Sequence, residues 1–216
     1  MAAVGSFRPL RQHTRRHASF LTVLSADNPA WLTPAAIRLA CCIAWSYSQA
    51  FGRPLLASPA TRAARPAAGI AAQASDQGND QGGDQGSEQG SEQRLLAQEL
   101  FATDTVVLAH DGAPLDAGEG PRLIYANRAA LRLWRRNWGS MVGMPSSRTA
   151  EPSARTERQQ ALAAALQQLA ISNYSGIRID SAGRRFAINS ARIWTLIDTS
   201  GQPCGQAAAF SDWHWL

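Results

Sequence analysis

Apolar side chains recur in distinct rhythms along the chain, broken by one long stretch that has none. In "AAIRLACCIAWSYSQAF", residues 35–51, the positions Ile37, Cys41, Ala44, Trp45 and Phe51 follow the helical period and share one face. Thr33 is placed to cap this helix, Pro34 suits its first position, and Gly52 with Pro54 ends it. The segment is too short for a membrane span and carries Arg38, Ser46, Ser48 and Gln49, so it predicts a helix that docks on a surface supplied later in the chain.

That surface begins after residue 93. "RLLAQELF" predicts a short helix, and "TVVLAH" and "RLIYAN" predict two strands, the first ending at Asp111-Gly112, a hairpin-type turn. "RAALRLWRRNW" predicts a helix of about three turns that stops at Gly139. Asn127 stands at the joint between strand and helix, where its side chain can accept the backbone N–H of residue 129 or 130. A further helix, with Thr149 as its cap and Pro152 in its first turn, turns Leu162, Leu166 and Leu169 inward and leaves Arg155, Glu157, Arg158 and Gln168 to water. "NYSGIRID", "RRFAINSARIWTLID" and "CGQAAAFSDW" then form a meander through glycine-containing turns. In its middle strand Phe186, Ile188, Trp194 and Leu196 share one parity and line one face, unless a bulge near Asn189-Ser190 shifts the register. The outcome is an α+β fold: a five-stranded antiparallel sheet with helices covering one face, plus the N-terminal helix.

Composition changes this picture at two places. "DQGNDQGGDQGSEQGSEQ", residues 76–93, repeats an acid-Gln-Gly unit with nothing apolar to bury, and an Ala/Pro-rich stretch precedes it. Such a segment cannot repay the entropy of ordering, so residues 57–93 are expected to be a flexible insert and 94–216 the core. The first 30 residues are basic and acid-free except for Asp27, which fits a disordered tail or an organelle transit peptide. The formal charge of +5 comes from 21 arginines and no lysine, and residues 94–216 are nearly balanced. Adjacent arginines stand beside an aromatic there only in "RRNW", 135–138, and "RRF", 184–186, too few for a dense basic stripe, so no nucleic-acid surface is predicted.

Candidate chemistry is sparse. Cys41, Cys42 and Cys204 have neither metal-ligand nor disulfide-framework spacing, and a reducing, cytoplasmic setting fits them. His13, His17, His110 and His214 are scattered and are expected to be satisfied or solvent-facing. An enzyme would have to use "SSRTAEP", with Glu151 as general base and Arg148, beside Thr149, binding an anion; a helix start with a favourably placed acid accounts for the same residues. No histidine or nucleophile turn accompanies Ser146, Ser147 or Ser153, so the chain is expected to be non-enzymatic.

The order of two strands, helices, then three strands in hairpin succession resembles a PAS domain. "YANRAALRLW", "SSRTAEP", "NYSGIRI", "GRRF" and "GQAAAFSDW" resemble, more narrowly, the MEKHLA family, a PAS-related domain, from about residue 95 to the C-terminus. "WLTPAAIRLACCIAWSYSQAFGRPLL" resembles that domain's start, which would make 31–56 its first helix and 57–93 an insertion within it, a cheap one because closure entropy grows slowly with loop length. The family also occurs in plant homeodomain leucine-zipper transcription factors, but no homeodomain or heptads are present here, and their DNA binding does not transfer. The photoreceptor branch of PAS domains uses a flavin-reactive cysteine, and "MVGMPSSRTAEP" has none, so no cofactor is assigned. The resemblance implies a sensory or regulatory module that binds a small molecule or a protein partner and is compatible with a homodimer. The expected cavity residues are Tyr125, Asn127, Trp134, Phe186, Ile188 and Trp194, each of which plain core packing also explains. The alternative is a filled-core interaction domain whose contact surface includes Trp213 and Trp215.

Overall fold

The computed structural model describes residues 29–57, 85–115 and 118–216. The basic tail and most of the expected insert lie outside these residues.

Helix α1 (Pro34–Phe51) forms as its ends predict. The Thr33 hydroxyl accepts the Ala36 N–H at 3.3 Å, and Gly52, left-handed at φ 64°, returns its N–H to the Ser48 carbonyl. Its buried face is centred on Ala40, Ile43 and Tyr47. Helix α2 (Gln85–Ala102) is longer than expected and starts inside the repeat read as flexible. The buried residues Leu96, Ala97 and Leu100 anchor its second half, and propagation is cheap once a helix is nucleated, so the polar Gln-Gly-Ser-Glu residues are carried as its outer turns.

Strands β1 (Val106–Asp111) and β2 (Leu123–Ala126) are followed by α3 (Arg128–Leu133), α4 (Trp138–Met141) and α5 (Arg155–Gln168). The single three-turn helix expected over 128–138 is therefore two. Arg135 adopts φ 54°, a later turn takes up the freed carbonyls of Trp134 and Arg135 through the Ser181 N–H and hydroxyl, and Asn137 caps a new helix by accepting from Ser140. Helix α5 also starts late, after two short 3-10 turns, and Thr149 does not cap it: its hydroxyl donates to the Ser146 carbonyl at 2.7 Å.

The last third contains β3 (Ala170–Ile179), β4 (Arg185–Ile197), β5 (Pro203–Phe210) and β6 (Asp212–Trp215). Two turns use one device. Asp180 accepts the N–H groups of Ala182 and Arg184, and Asp198 those of Ser200 and Gln202, all at 2.8 Å. The sheet is antiparallel in the order β2-β1-β5-β4-β3. A sixth strand was not expected. The chain breaks at Ser211, so β5 pairs with the second half of β4 and β6 with its first half.

Helices α3 and α5 cover one face of the sheet, where the core contains Val106, Leu108, Leu133, Trp134, Phe186 and Ile188 and, under α5, Leu162 and Ile193. On the opposite face α1 and α2 bury Val107, Ala109, Tyr125, Trp194, Leu196 and Ala207. The PAS-like α+β architecture is thus clad on both sides, with the N-terminal helix docked beyond the insert. Among the described residues, no helix is long and apolar enough to cross a membrane.

A bulge divides β4 between these faces. Ser190 sits at φ 52°, and the step from Ile188 to Ala191 spans only Gly176 to Tyr174 on β3. Phe186 and Ile188 consequently point to the α5 side, whereas Trp194 and Leu196 point to the α1 side.

Candidate functional site

Of the six residues expected around one cavity, the structure gathers only some. Tyr125 of β2 lies on the α1 side, and Trp194 joins it there because of the parity change in β4, held by edge contact with Tyr47 at 5.0 Å and by an N–H donated to the Ile43 carbonyl at 3.2 Å. Asn127 is fully buried and architectural. Its Oδ1 accepts from Ala130, capping α3 as expected, and also from Val107, while its Nδ2 donates to the Thr105 carbonyl at 2.7 Å. Trp134, Phe186 and Ile188 remain together on the α5 side, with the Trp134 and Phe186 rings edge to face at 5.2 Å.

On that side the packing leaves a cavity of about 540 Å³, counting the part open to solvent. It is walled by Trp134 at the end of α3, Arg158 and Leu162 on α5, Tyr174 and Arg178 on β3, and His110 on β1. Ile188, Ala191 and Ile193 of β4 and Gln206 of β5 are part of the floor. The lining is mostly apolar with a few convergent polar groups, which is the usual make-up of a small-molecule site.

The polar groups differ in how well they are satisfied. Gln206 donates to the Leu162 carbonyl at 2.9 Å and fixes α5 on the sheet. His110 is buried and satisfied at one ring nitrogen only, where a satisfied or solvent-facing ring was expected. Its Nδ1 meets the Asp111 carbonyl at 2.8 Å, an acceptor only, so Nδ1 carries the hydrogen and Nε2 is a bare acceptor with no partner. Burial holds the imidazole down to about pKa 4, with the backbone of Asp111 opposing and Arg158 assisting. Trp134 Nε1 is likewise buried without a partner. Arg178, only 6% exposed, donates to the Ile177 carbonyl at 2.8 Å and to the Tyr174 hydroxyl at 2.9 Å. Gly176 makes that arrangement possible, since a Cβ there would lie 2.7 Å from the Tyr174 hydroxyl oxygen. Arg158 is partly buried rather than wet, and burial, then the nearby Arg178 guanidinium, lower its pKa to about 10.

Arg158, Arg178, His110, Tyr174 and Gln206 were not read from the sequence as site residues. A signal existed for Arg158, which precedes Leu162 and Ala165 by four and seven positions and so shares their buried stripe. Of the apolar stripe expected of Leu162, Leu166 and Leu169 only Leu162 is buried, and the stripe continues through Ala165 instead, for Leu166 and Leu169 are exposed.

The residues considered for an enzyme are dispersed. Glu151 pairs with Arg185 at 2.7 Å, Arg148 with Glu119 at 2.9 Å, and Thr149 bonds within its own turn. Cys42 and Cys204 lie together between α1 and β5, on the face away from the cavity, and Cys41 is buried in the α1 core. Among the described residues, no group of three or more His, Cys, Asp or Glu side chains could hold a metal ion.

An antiparallel sheet clad by helices, with a cavity beneath the helices that connect its second and third strands, is a PAS-like arrangement. The sequence model of the MEKHLA domain matches residues 83–215, and the chain belongs to the MEKHLA domain family. The match opens upstream of the boundary at 94 read from composition and takes in the whole described length of α2, whereas α1 lies outside it. Similar solved structures include a PAS domain from Colwellia psychrerythraea, 12% identical over 57% of this chain and 95% of that one, with a TM-score of 0.47. A light-oxygen-voltage domain studied with a flavin analogue is 14% identical over 56% of this chain and 84% of its own, with a TM-score of 0.43. An RNA-binding light-oxygen-voltage receptor is 14% identical over 62% of this chain but only 35% of that longer one, with a TM-score of 0.46. Comparison with curated proteins gives no match.

Proposed function

We propose that this chain is a non-catalytic, cytoplasmic sensory module whose cavity under α3 and α5 binds a small molecule, occupancy being passed on through contact with a protein partner. One observation carries the reading: two nitrogens, His110 Nε2 and Trp134 Nε1, belong to side chains that line the cavity, and both are buried without a partner. Leaving such groups unpaired costs about 1–3 kcal/mol each, a penalty that a bound ligand relieves. Of the residues expected at the site, Trp134 and Ile188 would touch the ligand, and Phe186 would hold the Trp134 ring from behind.

A second reading has its own support. Trp213 and Trp215 of β6 are 36% and 42% exposed, and beside them Leu216 is 61% exposed, an apolar strip suited to a protein contact. It serves as the output surface of a sensor or as the whole function of an interaction domain. Native mass spectrometry of protein purified from its own host separates the two. An excess mass that disappears on denaturation is expected; a native mass equal to the bare chain would leave β6 as the functional surface.

A further inference from the structure

We infer that the ligand is a small organic anion, its carboxylate held by Arg158 and Arg178 and its apolar body lying against Trp134 and Ile188. This rests on the reading of the cavity as a ligand site and names the chemistry that the site selects.

The argument starts from charge. Arg158 on α5 and Arg178 on β3 both line the cavity, and Arg178 is almost wholly buried. The ion pairs among the described residues leave both out: Arg122 and Arg148 share Glu119, Arg184 takes Asp180 and Arg185 takes Glu151. Arg178 spends donors on one backbone carbonyl and one phenol, neither of which carries charge. Two neighbouring cations against an apolar wall are costly unless an anion joins them. The guanidinium fork matches a carboxylate in shape and in number of donors, and the match is strongest out of water.

The remaining groups narrow the class. Trp134 offers an N–H, His110 an acceptor suited to a ligand hydroxyl or N–H, and the rest of the wall is apolar. The enclosed part of the cavity is small, which suits one ring or a short chain rather than a dinucleotide. Arg158 also lines an outer polar groove with Ser146, Arg148 and Gln159, so it stands where an anion would enter.

The test titrates the full chain with sodium benzoate and, in parallel, with benzamide, its neutral isostere, using calorimetry and the indole N–H resonance of Trp134. Benzoate is expected to bind at least about tenfold tighter, the effect of one or more charge-assisted hydrogen bonds. Arg158→Gln should shrink that preference several-fold, Arg178 still contributing, with a thermal melt confirming that the variant folds; an undiminished preference would remove Arg158 from the anion site. Equal binding of the two probes by the native chain overturns the anion assignment and leaves the small-ligand cavity standing. Sodium chloride that moves the Trp134 resonance as benzoate does also overturns it, since simple ion screening would then suffice. If neither probe moves that resonance at millimolar concentration, both the anion assignment and the cavity reading fall.

Discussion

The two faces of the sheet carry the same kinds of side chain and treat them in opposite ways. Against α1 and α2, Trp194 packs edge-on against Tyr47 and Phe51 with its N–H bonded to the Ile43 carbonyl, and the Ser46 hydroxyl accepts the Ile197 N–H at 3.0 Å. Against α3 and α5, Trp134 is equally buried, but its N–H meets nothing, beside a histidine with a bare nitrogen and two arginines without an acid among the described residues. Tyr125 is the exception on the first face, since its hydroxyl is buried and unpartnered there. The contrast shows how one sheet can separate duties. One side is filled and satisfied for stability, and the other is left incomplete for a visitor to complete.

Substitutions can break that contrast, beginning with the largest effect. Trp194→Ala empties the filled side and is expected to cost roughly 3–5 kcal/mol of unfolding free energy in denaturant titration at neutral pH. A cost below about 1 kcal/mol would mean that the α1 face is not the packed one.

The next effect is a pH dependence on the incomplete side. The His110 pKa is about 4 in the folded chain against an ordinary 6.5, so the unfolded chain takes up the proton first as the pH falls. Stability is therefore full above pH 6.5 and is lost progressively toward pH 4, by roughly 3 kcal/mol over that window. Arg158, facing the ring from α5, deepens the loss, and Asp111 resists it. Stability curves of the native chain and of His110→Gln should diverge across this window; parallel curves would show that the ring protonates as it does in water.

The smallest effect is the most discriminating. Trp134→Phe removes an N–H that has no partner, and the relief, about 1–3 kcal/mol, offsets the volume lost. A net change within about 1 kcal/mol is expected, well short of the cost at Trp194. A loss matching that at Trp194 would reveal a hydrogen bond in solution that the structure does not contain.

Elements whose signals are local were legible in the sequence. Thr33, Pro34 and Gly52 mark both ends of α1, the two aspartate turns announce the meander, and Asn127 caps α3 from its expected place. Features decided by distant partners were not. The split of α3 from α4 depends on Ser181, far along the chain, although Asn137 offered a capping signal. The bulge at Ser190 could be named as a condition but not asserted, because it is fixed by pairing with β3, and with it went the side on which Trp194 and Leu196 lie. Arg158 was misplaced for a related reason. Polar residues on a helix are read as facing water, and only the assembled cavity shows a guanidinium turned inward along the Leu162 stripe.

The single extra residue at Ser190 also constrains how this gene can change. Beyond it, β4 supplies Trp194 and Leu196 to the filled side and Ile193 to the cavity side, so the strand's two allegiances are separated by one position. An in-frame loss of one codon there, harmless in most loops, would turn every later side chain of β4 over. Trp194 would swing into the cavity and Ile193 against α1. A change of length in the acidic repeat of this chain should therefore be tolerated far better than one in β4.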